Sequence, residues 1–467
     1  MSDSVDQPKS DVGTPAPRRS RFGALWRDPE FLKFWSGETI SLFGTYVTTL
    51  ALPLLAVITL NVSAQQLGFL RAAEFVPFLL APVFGVWADR RRRKPIMTVA
   101  NAFRAVLIAL VPTLYWLDHL PLNTLYLIAF AVGVCTVAFD VSWMSFVPTL
   151  VPREHLIEAN GKVATSYSAA EIGGPGLAGV LVQAFTAPVA LVVDAASYVV
   201  SVISLLLIRR PEPEPKRPES RHMGKEIREG LAAVFGNPYL RITALQGSMF
   251  NFFTQFIETT FLIYLVRELG FDAALVGLVV AAGAVGGLIG AMIATSLTRR
   301  LPFGPLIMVA MVVGCTPSLI LPAVRGSTAA MAAAFVVVLF VYKGGSAVAN
   351  VLAITLRQTV TPNRLLGRVT ASMRLALYGA IPLGALTAGF LGASIGLRPA
   401  LWVAGIGFTA SLIPVLLSPV PRLAALPPSP DETPAAPTEA PAGAEAMDQP
   451  TDLTAGATPG STPTGPS

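Results

Sequence analysis

The sequence predicts an all-α polytopic membrane protein, with twelve transmembrane helices arranged as two six-helix pseudo-repeats. Three observations carry this. Hydrophobic residues make up 53% of the chain against 13% charged, and they fall in blocks of bilayer length rather than in amphipathic stripes. Most loop cations fall in every second loop of a twelve-span count. A shift of 210 residues lays the second half of the chain on the first at several sites.

The chain begins with a polar stretch, Met1–Pro29, which holds Arg18, Arg19, Arg21 and Arg27 and no apolar core. It reads as a tail, residues 1–30, and not as a cleavable signal peptide. The first bundle, 31–208, holds span 1 (Phe34–Leu60), span 2 (Leu67–Ala88), span 3 (Ile96–Leu117), span 4 (Asn123–Val147), span 5 (Gly161–Phe185) and span 6 (Pro188–Ile208). Between spans 2 and 3 stand five consecutive cations, Arg90–Lys94, which cannot enter lipid.

A linker, 209–239, is rich in proline and both charges, with a short amphipathic pattern at Lys225–Phe235. The second bundle, 240–420, holds span 7 (Leu240–Val266), span 8 (Ala274–Thr298), span 9 (Gly304–Val324), span 10 (Ala329–Asn350), span 11 (Val369–Leu391) and span 12 (Pro399–Leu417). The last stretch, 421–467, is dominated by Pro, Ala, Thr, Gly, Asp and Glu, and is too polar to bury a core.

Charge orients the bundle. Arg90–Lys94, Arg153, Arg209, Arg210, Arg299, Arg300, Arg357 and Arg364 share one side, while the opposite loops hold only Arg267, Arg325 and Arg398. The positive side is expected to be cytoplasmic, with both termini there and the chain in the cell membrane. The net charge of +6 is this topological bias, so no nucleic-acid partner is implied. The two cysteines, Cys135 and Cys315, lie in apolar runs of different halves and indicate no disulfide framework.

The 210-residue shift places Arg299-Arg300 on Asp89-Arg90, Thr361-Pro362 on Val151-Pro152, and Gly384 and Gly389 on Gly174 and Gly179. Such parallel repeats put a substrate path between the halves near the midplane.

The stretch Gly85-x-x-x-Asp89-Arg90-x-x-Arg93-Lys94 resembles the signature loop of the major facilitator superfamily of transporters, which usually has Gly where Arg92 stands. Leu67–Phe78, Phe139–Trp143, Leu150–Glu154 and Asp194–Tyr198 are similar to the branch that contains enterobactin exporters and macrolide efflux proteins. The resemblance spans about Phe31 to Pro419. It implies the major facilitator fold, a monomer, and an inner gate built from Gly85, Asp89, Arg90, Arg93 and Lys94 with Arg368 at the start of span 11. In span 5, Gly173-Gly174-Pro175 with Gly179 resembles part of the motif of antiporters. That implies a hinge, with plain helix packing as the alternative.

A charge inside hydrocarbon is costly unless paired or wet, so each one is a candidate for transport. Arg71 and Glu74, three apart near the outer end of span 2, are expected to pair. Arg104 and Asp140 lie about 12 and 10 Å from the cytoplasmic ends of their spans, at 1.5 Å per residue, which suggests an intramembrane pair. Burial favours a neutral carboxyl and a nearby arginine favours a charged one, so a pair that opens and closes moves a proton. Glu171, near the middle of span 5, is the second proton-coupling candidate; a static bridge is the alternative for the first. Glu38, Asp194, Glu258, Lys343 and Arg374 complete the charged set. The outer gate or substrate path is expected to draw on Glu38, Arg71, Glu74, Asp194, Asn251, Phe253, Gln255, Phe256, Glu258 and Arg374.

These features point to a secondary active transporter that couples a small amphipathic organic molecule, such as a drug or siderophore, to protons, and the resemblance with its partial span-5 motif implies that it is an exporter. A proton-coupled importer and a non-transporting sensor are the rivals. No Gly-x-x-x-x-Gly-Lys-Ser/Thr loop is present, so a gradient must drive it. No cofactor or metal is indicated. An enzyme is not expected, because His119, His155 and His222 stand apart in loops and linker.

Overall fold

The computed structural model describes residues 23–212, 223–428 and 430; within them the regular elements are all helical. Most of the expected tails, and residues 213–222 of the linker, lie outside the described residues. Eleven helices are long and apolar enough to cross a membrane: Pro29–Thr59, Ala64–Ala88, Arg93–Trp116, Leu122–Leu150, Ala187–Leu207, Pro238–Arg267, Ala273–Thr298, Phe303–Ile320, Thr328–Thr359, Asn363–Ser394 and Leu397–Leu416. Leu156–Ala184 is the twelfth, and it takes the place of span 5. Its glycines, serines and Glu171 make it long enough but less apolar than the rest. The protein is a multi-pass membrane protein.

Apolar residues cover the outside as well as the core: Val106, Leu127 and Met292 are each about two-thirds exposed, as lipid-facing helix surfaces require. Local chemistry sets the helix starts. Asp28 accepts from the Glu30 and Phe31 amides (3.0 and 3.3 Å), so span 1 begins at Pro29 and not at Phe34. Ser63 and Gln66 cap span 2 reciprocally, Asp272 caps span 8 and Ser327 caps span 10. Span 3 begins at Arg93, so two of the five cations are its first turn. Span 10 runs on to Thr359, nine residues past the expected end.

The repeat is visible in the elements. The 3-10 turns Arg153–His155 and Asn363–Leu365, and the helices that follow from Leu156 and Leu366, recur at the same 210-residue offset.

Odd-numbered spans start on the face that carries the linker; the opposite face is called the far face. Within the first half, span 1 packs on spans 5 and 6, and span 3 on spans 4 and 6; in the second half, span 7 packs on 11 and span 8 on 10. The halves meet through two pairs, span 5 on span 8 and span 2 on span 11. Near the far face these contacts are backbone to backbone. A Cβ on Gly68 would lie 2.6 Å from the Ala385 carbonyl, and one on Gly179 2.5 Å from that of Ala273. A Cβ on Gly277 would lie 2.5 Å from the Pro175 carbonyl. Toward the linker face, Gly85, Gly161 and Gly367 would meet nothing within 4 Å. The halves are therefore closed against each other at the far face and apart at the linker face.

Gly68→Val should strain this closure. Overpacking costs about 1–3 kcal/mol, which is roughly 5- to 150-fold in the ratio of closed to open molecules. Labelling from the far side of a reporter at Leu265→Cys, a fully buried position near the far end of span 7, is expected to rise accordingly. Unchanged labelling in a normally folded variant would refute the role given to this contact.

Candidate functional site: a two-chambered cavity between the halves

Between the halves lie two chambers that meet at a neck formed by Glu171, Ala284, Tyr342 and Lys343. The linker-side chamber, about 510 Å³, takes Gln246, Phe250, Asn251 and Thr254 from span 7 and reaches Arg357 at its lower end. The far-side chamber, about 270 Å³, has apolar walls including Leu50, Ile257, Phe261 and Leu262, with Tyr46 and Arg71 among them. The far chamber, with apolar walls and a few converging polar groups, has the usual make-up of a small-molecule site.

Lys343 of span 10 reaches across the neck to Glu258 of span 7 in a 2.7 Å ion pair. Glu171 of span 5 also interacts electrostatically with Lys343, but it makes no hydrogen bond or ion pair among the described residues. Its side chain is exposed to the cavity. Arg71 and Glu74 form the expected pair, at 2.9 Å, beside the far chamber.

Other expected path residues stand elsewhere. Phe253 packs on Gly407 of span 12, Phe256 is buried against Phe252, and Gln255 donates to Thr259 at 3.1 Å. Only Asn251 of that group lines the cavity, because helical periodicity turns its neighbours toward spans 11 and 12. Arg374 belongs to the linker-side half of span 11, not the far gate; it lies 5.3 Å from the Tyr378 ring, which stacks on Phe78 of span 2.

Glu38 and Asp194 are not at the far gate either. Both are buried in the first half, around Arg104. Asp194 is sealed from solvent, accepting from Thr48 and from Ser197 at 3.1 Å. Arg104 does not bridge to Asp140. Its guanidinium lies over the Tyr198 ring at 4.4 Å and donates to Asn101 at 3.1 Å, and Asn101 in turn donates to Ser201 at 2.8 Å. Counting from the helix ends gives depth alone, and rotation about span 3 turns Arg104 toward Tyr198 of span 6. Glu38, Asp140 and Asp194 all interact with its charge, so one arginine serves three acids. Asp140, half-buried, also interacts with Arg374 across the gap between the halves.

The signature loop is occupied differently from the expectation. Glu212, at the start of the linker, accepts from the Arg93 and Lys94 amides at 2.7 and 3.1 Å, which places a carboxylate on the free N–H groups of span 3. Arg93 also pairs with Glu212 at 3.4 Å, and Lys94 donates to the Ile208 carbonyl at 2.6 Å. Arg90 is exposed, and the Asp89 side chain lies outside the described residues. Arg368 is paired with Glu229 of the linker helix, Met223–Gly236.

The profile of the Major Facilitator Superfamily matches residues 34–385. The chain belongs to that superfamily. Macrolide efflux protein A of Streptococcus pyogenes is 23% identical over 48% of this chain and 55% of its own length, so the chain spans about half of that relative. The enterobactin exporter EntS of Citrobacter koseri is 25% identical, over 78% of this chain and 85% of that protein. Among solved structures, a bacterial homologue of the iron transporter ferroportin in an inward-facing state has a TM-score of 0.67 at 18% identity, covering 83% of this chain and 98% of that one.

For a member of this superfamily the motif of span 5 is a packing motif at the least. A Cβ on Gly173 would lie 2.9 Å from the Phe43 ring, and Gly174 abuts Tyr46, whereas Pro175 and Gly179 face span 8. Four residues thus join span 5 to two neighbours in different halves. Several cavity residues escaped the sequence reading, although a signal for them existed. Thr243, Gln246 and Thr254 lie three or four residues from Gly247, Phe250 and the already named Asn251 and Glu258, a largely polar stripe on one face of span 7. Glu212 and Glu229 had no such signal, since their partners are distant in sequence.

The Lys343–Glu258 pair is 35% and 41% exposed to the cavity, so its coupling should be near that of a solvated pair, about 0.2–1 kcal/mol. A thermal-melt double-mutant cycle with Glu258→Gln and Lys343→Met measures it. A coupling of several kcal/mol would show that the neck is dry and closed.

Proposed function

We propose that this chain is a secondary active exporter that moves a small amphipathic organic molecule, a drug, siderophore or related metabolite, by proton antiport with alternating access. The observation that supports it most is the two-chambered cavity between the halves, apolar in its far chamber, polar along span 7 in its linker-side chamber and charged at its neck, with backbone packing over its far end. Export rests on the efflux and exporter names of relatives at low identity. In this reading the protein is a monomer in the cell membrane, with the linker face and both termini cytoplasmic, which the bias of the loop cations supports. The described conformation is then inward-open, accepting substrate from the cytoplasm.

The inner gate of this reading is the signature loop, Gly85, Asp89, Arg90, Arg93 and Lys94, with Arg368; the outer gate includes Arg71 and Glu74. When the halves rock, Arg368 leaves Glu229 and the linker face closes. Pro175 and its glycines, packed on both halves, are the hinge. Pro175→Ala restores a helix hydrogen bond there, so it should change which side of the cavity cysteine reagents reach while leaving the binding surface in place. Unchanged labelling and transport would reduce Gly173–Gly179 to packing.

Asp140 couples protons, with Glu171 second and Arg104 as the fixed cation. Asp140 makes no ion pair among the described residues and interacts with cations of both halves, Arg104 and Arg374, so its environment changes when the halves move. Asp140→Asn mimics the protonated side chain. Uphill efflux from proteoliposomes should fall on the order of tenfold or more, with substrate-driven proton movement lost and downhill exchange retained. Folding should survive, because Arg104 keeps Tyr198 and Asn101. Uphill efflux at wild-type rate in Asp140→Asn would end this assignment, and uphill accumulation in right-side-out vesicles would favour the importer instead.

A further inference from the structure

A second concavity lies outside the transport path, on the lipid-facing side of the first half at the linker face. Spans 2, 3 and 4 leave a groove of about 750 Å³ there. Its cause is local. Span 2 is interrupted by the 3-10 turn Val76–Leu80 with Pro77, and resumes as Ala81–Asp89 with Pro82 in its first turn. The groove is floored by small side chains, Ala100, Cys135 and Ala138, and walled by Trp87, Val99 and Phe103. Phe103 and Val99 are more than half exposed. From Arg92 to Phe103 the groove follows span 3 for about 16 Å, an apolar slot running from the membrane surface into the bilayer.

At the mouth of this slot stand Arg90, Arg91 and Arg92. The five cations of the loop divide by task. Arg93 and Lys94 hold Glu212 and the Ile208 carbonyl, as described above. Arg90 and Arg91 are exposed and make no ion pair among the described residues, and the Arg91 guanidinium rests 5.6 Å from the centre of the Trp87 ring. Arginine binds phosphate oxygens through paired N–H groups, and a tryptophan suits the depth of lipid head groups. We propose that this groove is a binding site for one anionic phospholipid, its phosphate held by Arg90 and Arg91 and an acyl chain lying in the slot between spans 2, 3 and 4. A free phosphate fits only the mouth and leaves the apolar slot unused. A zwitterionic lipid fits the slot but brings a second cation to the arginines. Only a lipid with net negative charge matches both parts.

The site is tested on the purified full chain in detergent by native mass spectrometry, titrated with phosphatidylglycerol, phosphatidylcholine and glycerol phosphate. One phosphatidylglycerol adduct should persist, bound about tenfold or more tighter than phosphatidylcholine. Arg90→Gln with Arg91→Gln should bring the two lipids level, and Cys135→Trp, which fills the slot, should weaken both. Arg299→Gln with Arg300→Gln removes the same charge from the corresponding loop of the second half, and should leave phosphatidylglycerol bound. Equal retention of the two lipids by the wild type would overturn the proposal. So would equal losses from the two arginine pairs, which would mean general attraction to a positive face. Displacement of the lipid by glycerol phosphate would mean an anion site only.

Discussion

The close approach of glycine backbones between the halves is the contact on which the rest of this structure depends. Lipid chains are as apolar as leucine, so two helix bundles in a bilayer gain little by burying apolar surface against each other. What holds them is dense packing at short range. Gly68 on Ala385, and Gly179 with Gly277, bring main chains together in a way no larger residue permits. Because this packing is confined to the far half of spans 2, 5, 8 and 11, the opposite ends diverge, and the space between them is the cavity.

The charged residues then sort by whether that space reaches them. Glu171, Glu258 and Lys343 face it and remain partly exposed or singly paired. Arg104, Asp194 and Glu38 do not, and the first half surrounds them with Tyr198, Asn101, Thr48 and Ser197. A buried arginine matched by two aromatic rings, Tyr198 and Phe139, and one amide costs less than a bare charge, and leaves its acidic neighbours free of a fixed bridge. Asp140 stands at the edge of this cluster, between a cation of its own half and one of the other.

The linker is tied at both ends by carboxylates. Glu212 caps span 3 of the first half, while Glu229 pairs with Arg368 at the start of span 11 in the second. Glu212 meets a helix N-terminus where unpaired amides and the helix dipole favour negative charge, whereas Glu229 is held by the Arg368 side chain in the first turn of its helix. The connection between the halves therefore bears on the same two helix starts that the signature loop adjoins.

The amino-acid sequence by itself determined the helix count, the alternation of the loops between two faces, the 210-residue repeat and the superfamily. Each follows from properties that run along the chain: apolar length, the placement of Lys and Arg, and the spacing of Gly and Pro. It also determined the Arg71–Glu74 pair, because three residues on one helix share a face whatever surrounds them. Tertiary structure alone decided which side of each helix faces which neighbour. Depth along span 3 put Arg104 level with Asp140, but only packing turned it onto Tyr198 of span 6. The same rotation took Phe253 and Phe256 out of the cavity and put Gln246, Thr254 and Tyr342 into it. Along a helix, position is linear in residue number and can be counted; around it, the direction of a side chain has meaning only once the adjoining helices are in place.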